Sequence, residues 1–280
     1  MPDLHSHPSV LFSLCPGNEL AEKAVEHGLN CLRASTLSNG TRALVVGLPF
    51  PGKSSTTLAT LGRGEDADIY IEGESISRLQ CSFEMVLDFG VIMFNDLSRG
   101  STTQIGDSDA MAMPFEPGRA RKVLVQHDLN TIIEMGRKPG DLVKFKLVWH
   151  KGPKETAEMI EFYKNATASQ VKNPRLALTL EVEDPGLRVR YVRGEKLGSG
   201  RYGTVYKATN VDSGRNMAVK ILNRPLNQRE LLVLQREVQF LCQARHVSDP
   251  PLVPYRHEPN VDASHILSIF SHRRTGMGRT

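Results

Sequence analysis

Cysteine is scarce in this chain of 280 residues: Cys15, Cys31, Cys81 and Cys242 are all there is, and they are scattered without the short paired spacings of a metal site. So few thiols do not make the dense disulfide framework of a small secreted fold, and a reducing compartment is expected. Long apolar runs are also missing. The run at 10–15 is too short to span a bilayer and has no basic stretch before it, so neither a signal peptide nor a membrane partner is expected. Charge of one sign is not in excess either. A formal net charge of +4, from 35 basic and 31 acidic side chains, is small for this length and argues neither for nor against nucleic acid; no direct nucleic-acid partner is expected. The sequon Asn165-Ala-Thr167 is then read as a chance match. What is present is globular in character: 40% hydrophobic and 24% charged residues, over a length that fits two domains.

Composition divides the chain. Residues 1–40 are mixed polar and read as a loosely ordered leader with one short helix at 19–25. From 41 to 150, short β-rich runs at 57–61, 68–71, 83–87, 91–94, 131–134 and 142–149 alternate with glycine-rich turns, which predicts a β-sandwich. Residues 151–187 form a connector, helical over 154–163. Residues 188–246 follow a different pattern, treated below, and 247–280 is left as an unassigned tail. No internal repeat is visible.

Two motifs in the sandwich are deceptive. Gly47-Leu-Pro-Phe-Pro-Gly52-Lys53-Ser54 fits the Walker A spacing, but a P-loop cradles phosphate with backbone N–H groups and hands over to a helix. Pro49 and Pro51 each remove a donor, and the β-branched stretch that follows meets Gly62 too soon to build that helix. Asp88-Phe89-Gly90 falls between two apolar runs and is read as a hairpin turn.

The C-terminal part carries Gly198-x-Gly200-x-x-Gly203-x-Val205, followed by the strand-like Ala218-Val219-Lys220 and by an apolar stripe of Leu231, Leu234, Val238 and Leu241. A Rossmann turn needs a strand, a turn and then a helix, whereas these glycines join two strand-like runs. In such a hairpin the bare glycine backbone folds closely over a polyphosphate, and Lys220 on the neighbouring strand supplies positive charge. The stripe predicts a helix over 227–244, with Glu237 beside its buried face, where it can orient Lys220.

These residues resemble the N-terminal lobe of Ser/Thr protein kinases, an antiparallel sheet plus one helix of α+β type. The resemblance implies that Lys220 holds ATP phosphates, that Glu237 pairs with Lys220, and that Leu197 and Val205 enclose the adenine, with Gly198, Gly200 and Gly203 covering the phosphates. His246 also falls at the family's spacing after the glutamate. Beyond it the pattern stops. No His-Arg-Asp triplet follows, and Asp88-Phe89-Gly90 stands before the glycine loop rather than after it. The aspartate base and the magnesium-binding aspartate of a complete kinase are therefore missing from these residues, and a chain incomplete for phosphoryl transfer is expected. An isolated lobe leaves apolar surface uncovered, so self-association is expected too.

Leu61-Gly62-Arg63, Ile76-Ser77-Arg78-Leu79-Gln80 and Asp96-Leu97-Ser98-Arg99-Gly100-Ser101-Thr102-Thr103 place arginines and hydroxyls on successive loops of the β-rich frame. Arginine offers forked, charge-assisted hydrogen bonds and serine a further donor, the chemistry that a phosphate ester needs. In this order they resemble a forkhead-associated (FHA) domain, a β-sandwich that reads phosphothreonine peptides. Arg63 matches the family's Gly-Arg arginine, Ser77 its phosphate-binding serine and Arg78 the next loop position. Two departures stand out: Gln80 replaces the family's histidine, and Ser101 the asparagine that grips the peptide backbone.

An FHA-like sandwich ahead of a kinase lobe resembles fungal DNA-damage checkpoint kinases. This implies a nuclear protein that docks on phosphothreonine-containing partners and uses ATP, with magnesium in a complete homologue. The alternative is a phosphothreonine-binding adaptor without catalysis.

Overall fold

The computed structural model describes residues 8–48, 54–107, 112–168, 190–201, 203–223, 230, 232, 236 and 267–271. They fall into two compact units, Met1–Val182 with Asp212–Gly214, and Glu183–Val211 with Arg215–Thr280. None of the described helices is long and apolar enough to cross a membrane.

The first unit is mostly β. Its strands are β1 (Val10–Pro16), β2 (Ala34–Thr36), β3 (Arg42–Gly47), β4 (Thr57–Gly62), β5 (Ile69–Tyr70) and β6 (Cys81–Val86), then β7 (Val91–Asp96), β8 (Thr103–Gly106), β9 (Met113–Pro114), β10 (Lys122–Val125), β11 (Ile132–Met135) and β12 (Val143–Trp149). A seven-stranded sheet runs β2-β3-β1-β12-β11-β8-β9, and a five-stranded sheet runs β10-β7-β6-β4-β5. The sheets meet through Phe12 of β1 and Phe83 of β6, whose ring centroids are 4.9 Å apart, and through Cys81 and Met135, whose sulfurs lie 3.7 Å apart. Phe94 extends the aromatic contact at 5.2 Å from Phe83. Phe12, Phe83 and Phe94 are fully buried, each stabilising the fold by about 1.5–3 kcal/mol through area removed from water.

The leader expected over 1–40 is not loosely ordered where it is described. The run Val-Leu-Phe-Ser-Leu is buried throughout because it forms β1, an interior strand hydrogen-bonded to both β3 and β12. A strand covered on both faces reads as a continuous apolar run, which hides its period. Helix α1 (Glu19–Glu26) follows, where the side chain of Asn18 accepts from the Ala21 N–H at 3.1 Å and donates to Leu142 O at 2.6 Å. That single cap ends β1, starts the helix and fastens both to the beginning of β12.

The P-loop spacing fails structurally: Thr57–Gly62 is a strand, not a helix, while residues 49–53 lie outside the described set. Residues 87–90 form the turn between β6 and β7, with Gly90 at φ 66° and its N–H bonded to Val86 O. Asp88-Phe89-Gly90 is thus a hairpin turn. The helix expected over 154–163 is α2 (Pro153–Ala168), with proline at its first position, where no donor is lost.

In the second unit, β13 (Tyr191–Gly200), β14 (Gly203–Asn210), β15 (Asn216–Leu222) and β16 (Leu267–Ser271) form an antiparallel sheet in that order. Residues 267–271, within the tail left unassigned above, therefore supply a strand beside β15. The helix expected over 227–244 is described only at 230, 232 and 236, all helical. Glu237, His246 and residues 247–266 lie outside the described residues.

Candidate functional site

The arginine and serine loops come together at one end of the sandwich. Gly62 and Gly64 lie so close to the following loop that a Cβ on either would stand 2.3 or 2.8 Å from the Arg78 carbonyl oxygen. Only glycine fits, and the gain is intimate pairing. The Arg63 N–H donates to Ser77 O at 3.0 Å and the Gly64 N–H to Arg78 O at 2.9 Å. The Arg63 side chain donates through Nε to Ile76 O at 2.7 Å, which fixes the guanidinium beside Ser77 while the residue stays exposed. Arg78 is exposed as well.

Gln80 holds this loop to the next one. It is fully buried. Its Oε1 accepts from the Ser77 N–H at 2.8 Å, and its Nε2 donates to the hydroxyls of Thr102 at 3.0 Å and Thr103 at 2.8 Å. An amide offers an acceptor and two donors together, and Gln80 uses all three here.

The third loop is set by Asp96 and Arg121. Asp96 Oδ1 accepts from the Ser98 N–H and the Thr103 hydroxyl, each at 2.9 Å. Arg121 Nη1 reaches Asp96 Oδ2 at 3.1 Å, Ser98 O at 2.7 Å and Ser101 Oγ at 3.1 Å. The Ser98 hydroxyl in turn accepts from the Thr102 N–H at 2.9 Å. Ser101 is exposed and left-handed, at φ 50°. The Arg99 N–H donates to the Ser77 hydroxyl at 3.2 Å. That oxygen already accepts, so its own proton is left to donate to an anion.

The structure therefore brings Arg63, Ser77 and Ser101 onto three loops bonded in series, the Arg63 loop to the Ser77 loop and the Ser77 loop to the Ser101 loop. Gln80, Asp96 and Arg121 are the supporting residues that sequence reasoning missed or undervalued. Asp96-Leu97-Ser98 carries a local signal, since an aspartate bonding the N–H two residues on is a common turn. Arg121 carries none, because its place follows from the pairing of β10 with β7.

One further clamp joins Ser75 to the turn before β12. The Asp141 carboxylate accepts from the Ser75 hydroxyl and from the N–H groups of Arg137 and Lys138 at 3.0 and 2.7 Å. The Ser75 hydrogen bond, followed by those backbone donors, holds the Asp141 carboxyl below its ordinary pKa.

In the second unit, register decides the geometry. Val205 stands opposite Gly198 on one side and Lys220 on the other. Residues directly opposite in an antiparallel pair project to the same face, so Gly198, Val205 and Lys220 share one face. Ala218 lies two residues before Lys220 and joins it. Gly200 and Gly203 close the β13–β14 turn. Leu197 sits at an irregularity of β13 and is 56% exposed.

Two outcomes follow from this geometry. Asp141→Asn is expected to lower the urea midpoint at neutral pH. A depressed folded pKa contributes stability above the unfolded pKa and loses it as pH falls through the folded value, so the gap to wild type closes below about pH 4. A gap independent of pH would contradict the clamp. Ser101→Asn is expected to raise the melting temperature and Ser101→Val to lower it, since a left-handed backbone costs most residues about 1–2 kcal/mol and asparagine less. Calorimetry showing the valine variant as stable as the asparagine variant would refute the strain.

No family model matches the chain. Serine/threonine-protein kinase KIC1 of Saccharomyces cerevisiae is 41% identical over 59 residues, 21% of this chain and 6% of that protein. MAP kinase kinase kinase win1 of Schizosaccharomyces pombe is 27% identical over 171 residues, 56% of this chain and 11% of that one. The chain thus spans only a small part of these relatives. Among solved structures, the crystal structure of Rad53 1-466 in complex with AMP-PNP aligns with 94% of this chain and 55% of that one, at 14% identity and a TM-score of 0.42. The partial homologies make this a protein related to Ser/Thr protein kinases.

Proposed function

We propose that the first unit is an FHA-like domain that docks on phosphothreonine peptides through Arg63, Ser77, Arg78 and Ser101, and that the second unit holds ATP against the Gly198, Val205 and Lys220 face. The observation that carries the docking reading is that the Ser77 loop is bonded to the Arg63 loop on one side and, through the Gln80 amide, to the Ser101 loop on the other. Binding needs donors aimed at one place before the ligand arrives, and these loops are held by bonds of their own. Arg63 supplies charge, the Ser77 hydroxyl a proton to a phosphate oxygen, and Ser101 a hydroxyl near the peptide backbone. Each charge-assisted bond contributes about 1.5–3 kcal/mol.

For the nucleotide, the fit rests on the register. An apolar side chain, a lysine and a bare glycine backbone share one face, a set suited to an adenine ring and its phosphates. There Lys220 meets phosphate oxygens, Val205 and Leu197 cover the base, and Gly198, Gly200 and Gly203 let the backbone approach. When bound, ATP supplies a transferable phosphoryl group. By likeness to checkpoint kinases, the setting is the nucleus.

Matched phosphothreonine and unmodified peptides, titrated by fluorescence anisotropy, test the docking. The phosphorylated form is expected to bind at least about tenfold tighter, and Arg63→Ala to remove that difference. Equal affinities would sink it. A fluorescent ATP analogue tests the second unit: Lys220→Ala is expected to weaken its binding by about tenfold, and unchanged binding would remove Lys220 from the nucleotide face.

A further inference from the structure

The β13–β14 turn carries a cation at its tip. Arg201 follows Gly200, which pairs with Gly203 across the turn, and Gly203 in turn stands opposite Leu222 of β15. Asn223, the next residue after Leu222, donates through Nδ2 to the Arg201 carbonyl oxygen at 3.2 Å. The backbone at the tip is thereby tied to the end of the strand that carries Lys220.

The Arg201 side chain is held far less firmly. Its Nη2 lies 3.8 Å from Oε1 of Glu230, one of the helical residues after β15, and the two side chains are 75% and 28% exposed. An ion pair that open and that long contributes little, because water screens it and two flexible side chains must be kept in one pose. A phosphate is a stronger partner, since its oxygens take forked, charge-assisted bonds from a guanidinium. A tethered backbone under a loosely held charge suits a group that changes partners.

The charges on the glycine, valine and lysine face show where that second partner fits. Lys220 stands level with Val205, and Lys207, opposite Ala218, lies on the side of Val205 away from the turn. Toward the turn, residues 198–200, 203–204 and 221–222 carry no charge at all. A polyphosphate running from Lys220 toward the tip therefore meets Arg201 as its next cation.

We propose that Arg201 is a terminal-phosphate ligand: its guanidinium leaves Glu230 for the last phosphate of a nucleoside triphosphate, so that this turn distinguishes triphosphates from monophosphates. The inference rests on the nucleotide reading above and adds to it a residue and a selectivity that the glycine pattern does not specify.

The test uses the full chain and a fluorescent ATP analogue displaced by ATP, ADP and AMP, which gives the ratio of the AMP to the ATP dissociation constant. Arg201→Gln, which keeps most of the stem, is expected to shrink that ratio about fivefold while AMP affinity stays unchanged. Glu230→Gln frees the guanidinium and is expected to enlarge the ratio about twofold. In the double variant that enlargement disappears, as it must if Glu230 acts through Arg201. An enlargement that persists without Arg201 is plain relief of negative charge and overturns the exchange. So does an Arg201→Gln variant that keeps the wild-type ratio, or one that weakens ATP and AMP alike; in either case the nucleotide reading stands. If neither the analogue nor ATP binds the wild type, that reading falls and takes the exchange with it.

Discussion

The loop end of the sandwich depends on one buried amide. A glutamine shut away from water costs free energy unless its acceptor and donors are all used. Gln80 uses them on the Ser77 N–H and on the hydroxyls of Thr102 and Thr103. The Thr103 hydroxyl then donates to Asp96, which also receives the Ser98 N–H and the Arg121 guanidinium. Each bond orients the next group, and in a dry interior such a chain is worth more than its members taken singly. A carboxylate at position 80 would present acceptors alone and a leucine nothing. Either would remove the donors to Thr102 and Thr103, leaving the Arg99 N–H to Ser77 hydroxyl and Leu97 N–H to Gln80 O bonds to join the two loops.

Much of this frame was legible in the sequence. The β6–β7 hairpin, β4, β11, β12 and both helices correspond to runs whose periodicity and turn residues mark them locally. What could not be read was decided by pairing between distant segments. The run that forms β1 has no alternation, because two neighbouring strands and both sheet faces bury it. β2 and β9 are too short to show a period. At the site, Arg63, Ser77 and Ser101 were found because a glycine, a turn or another arginine stood next to them. Gln80 looked like a loss, since a motif records residue identity and not the inventory of donors and acceptors that the place requires. Arg121 has no local mark at all.

The second unit repeats the lesson in a simpler form. Spacing in the sequence marks glycines, valine and lysine as members of one pattern, but only register says that they share a face. Val205 stands between Gly198 and Lys220 in the same cross-strand row. A shift of one residue between β14 and β15 would put Lys220 on the opposite face from Val205. Ala208 and Val219, on the other face, are buried, and that burial resists such a slip.

Why an end rich in arginine tolerates its own charge follows from where the bonds run. Like charges on neighbouring loops repel, and loops held only by their ligand would splay without it. Here the backbones are tied beneath the charges, by Gln80 to one side and by Asp96 and Asp141 to the other, so repulsion acts on side chains that extend into solvent. The strain is placed the same way. Ser101 carries an unfavourable φ at the exposed tip of its loop, and Arg121 holds it there by bonding both Ser101 Oγ and Ser98 O. Strained residues persist when their surroundings over-determine them. The buried network lies below, and the exposed arginines and the strained Ser101 lie above it on the solvent side.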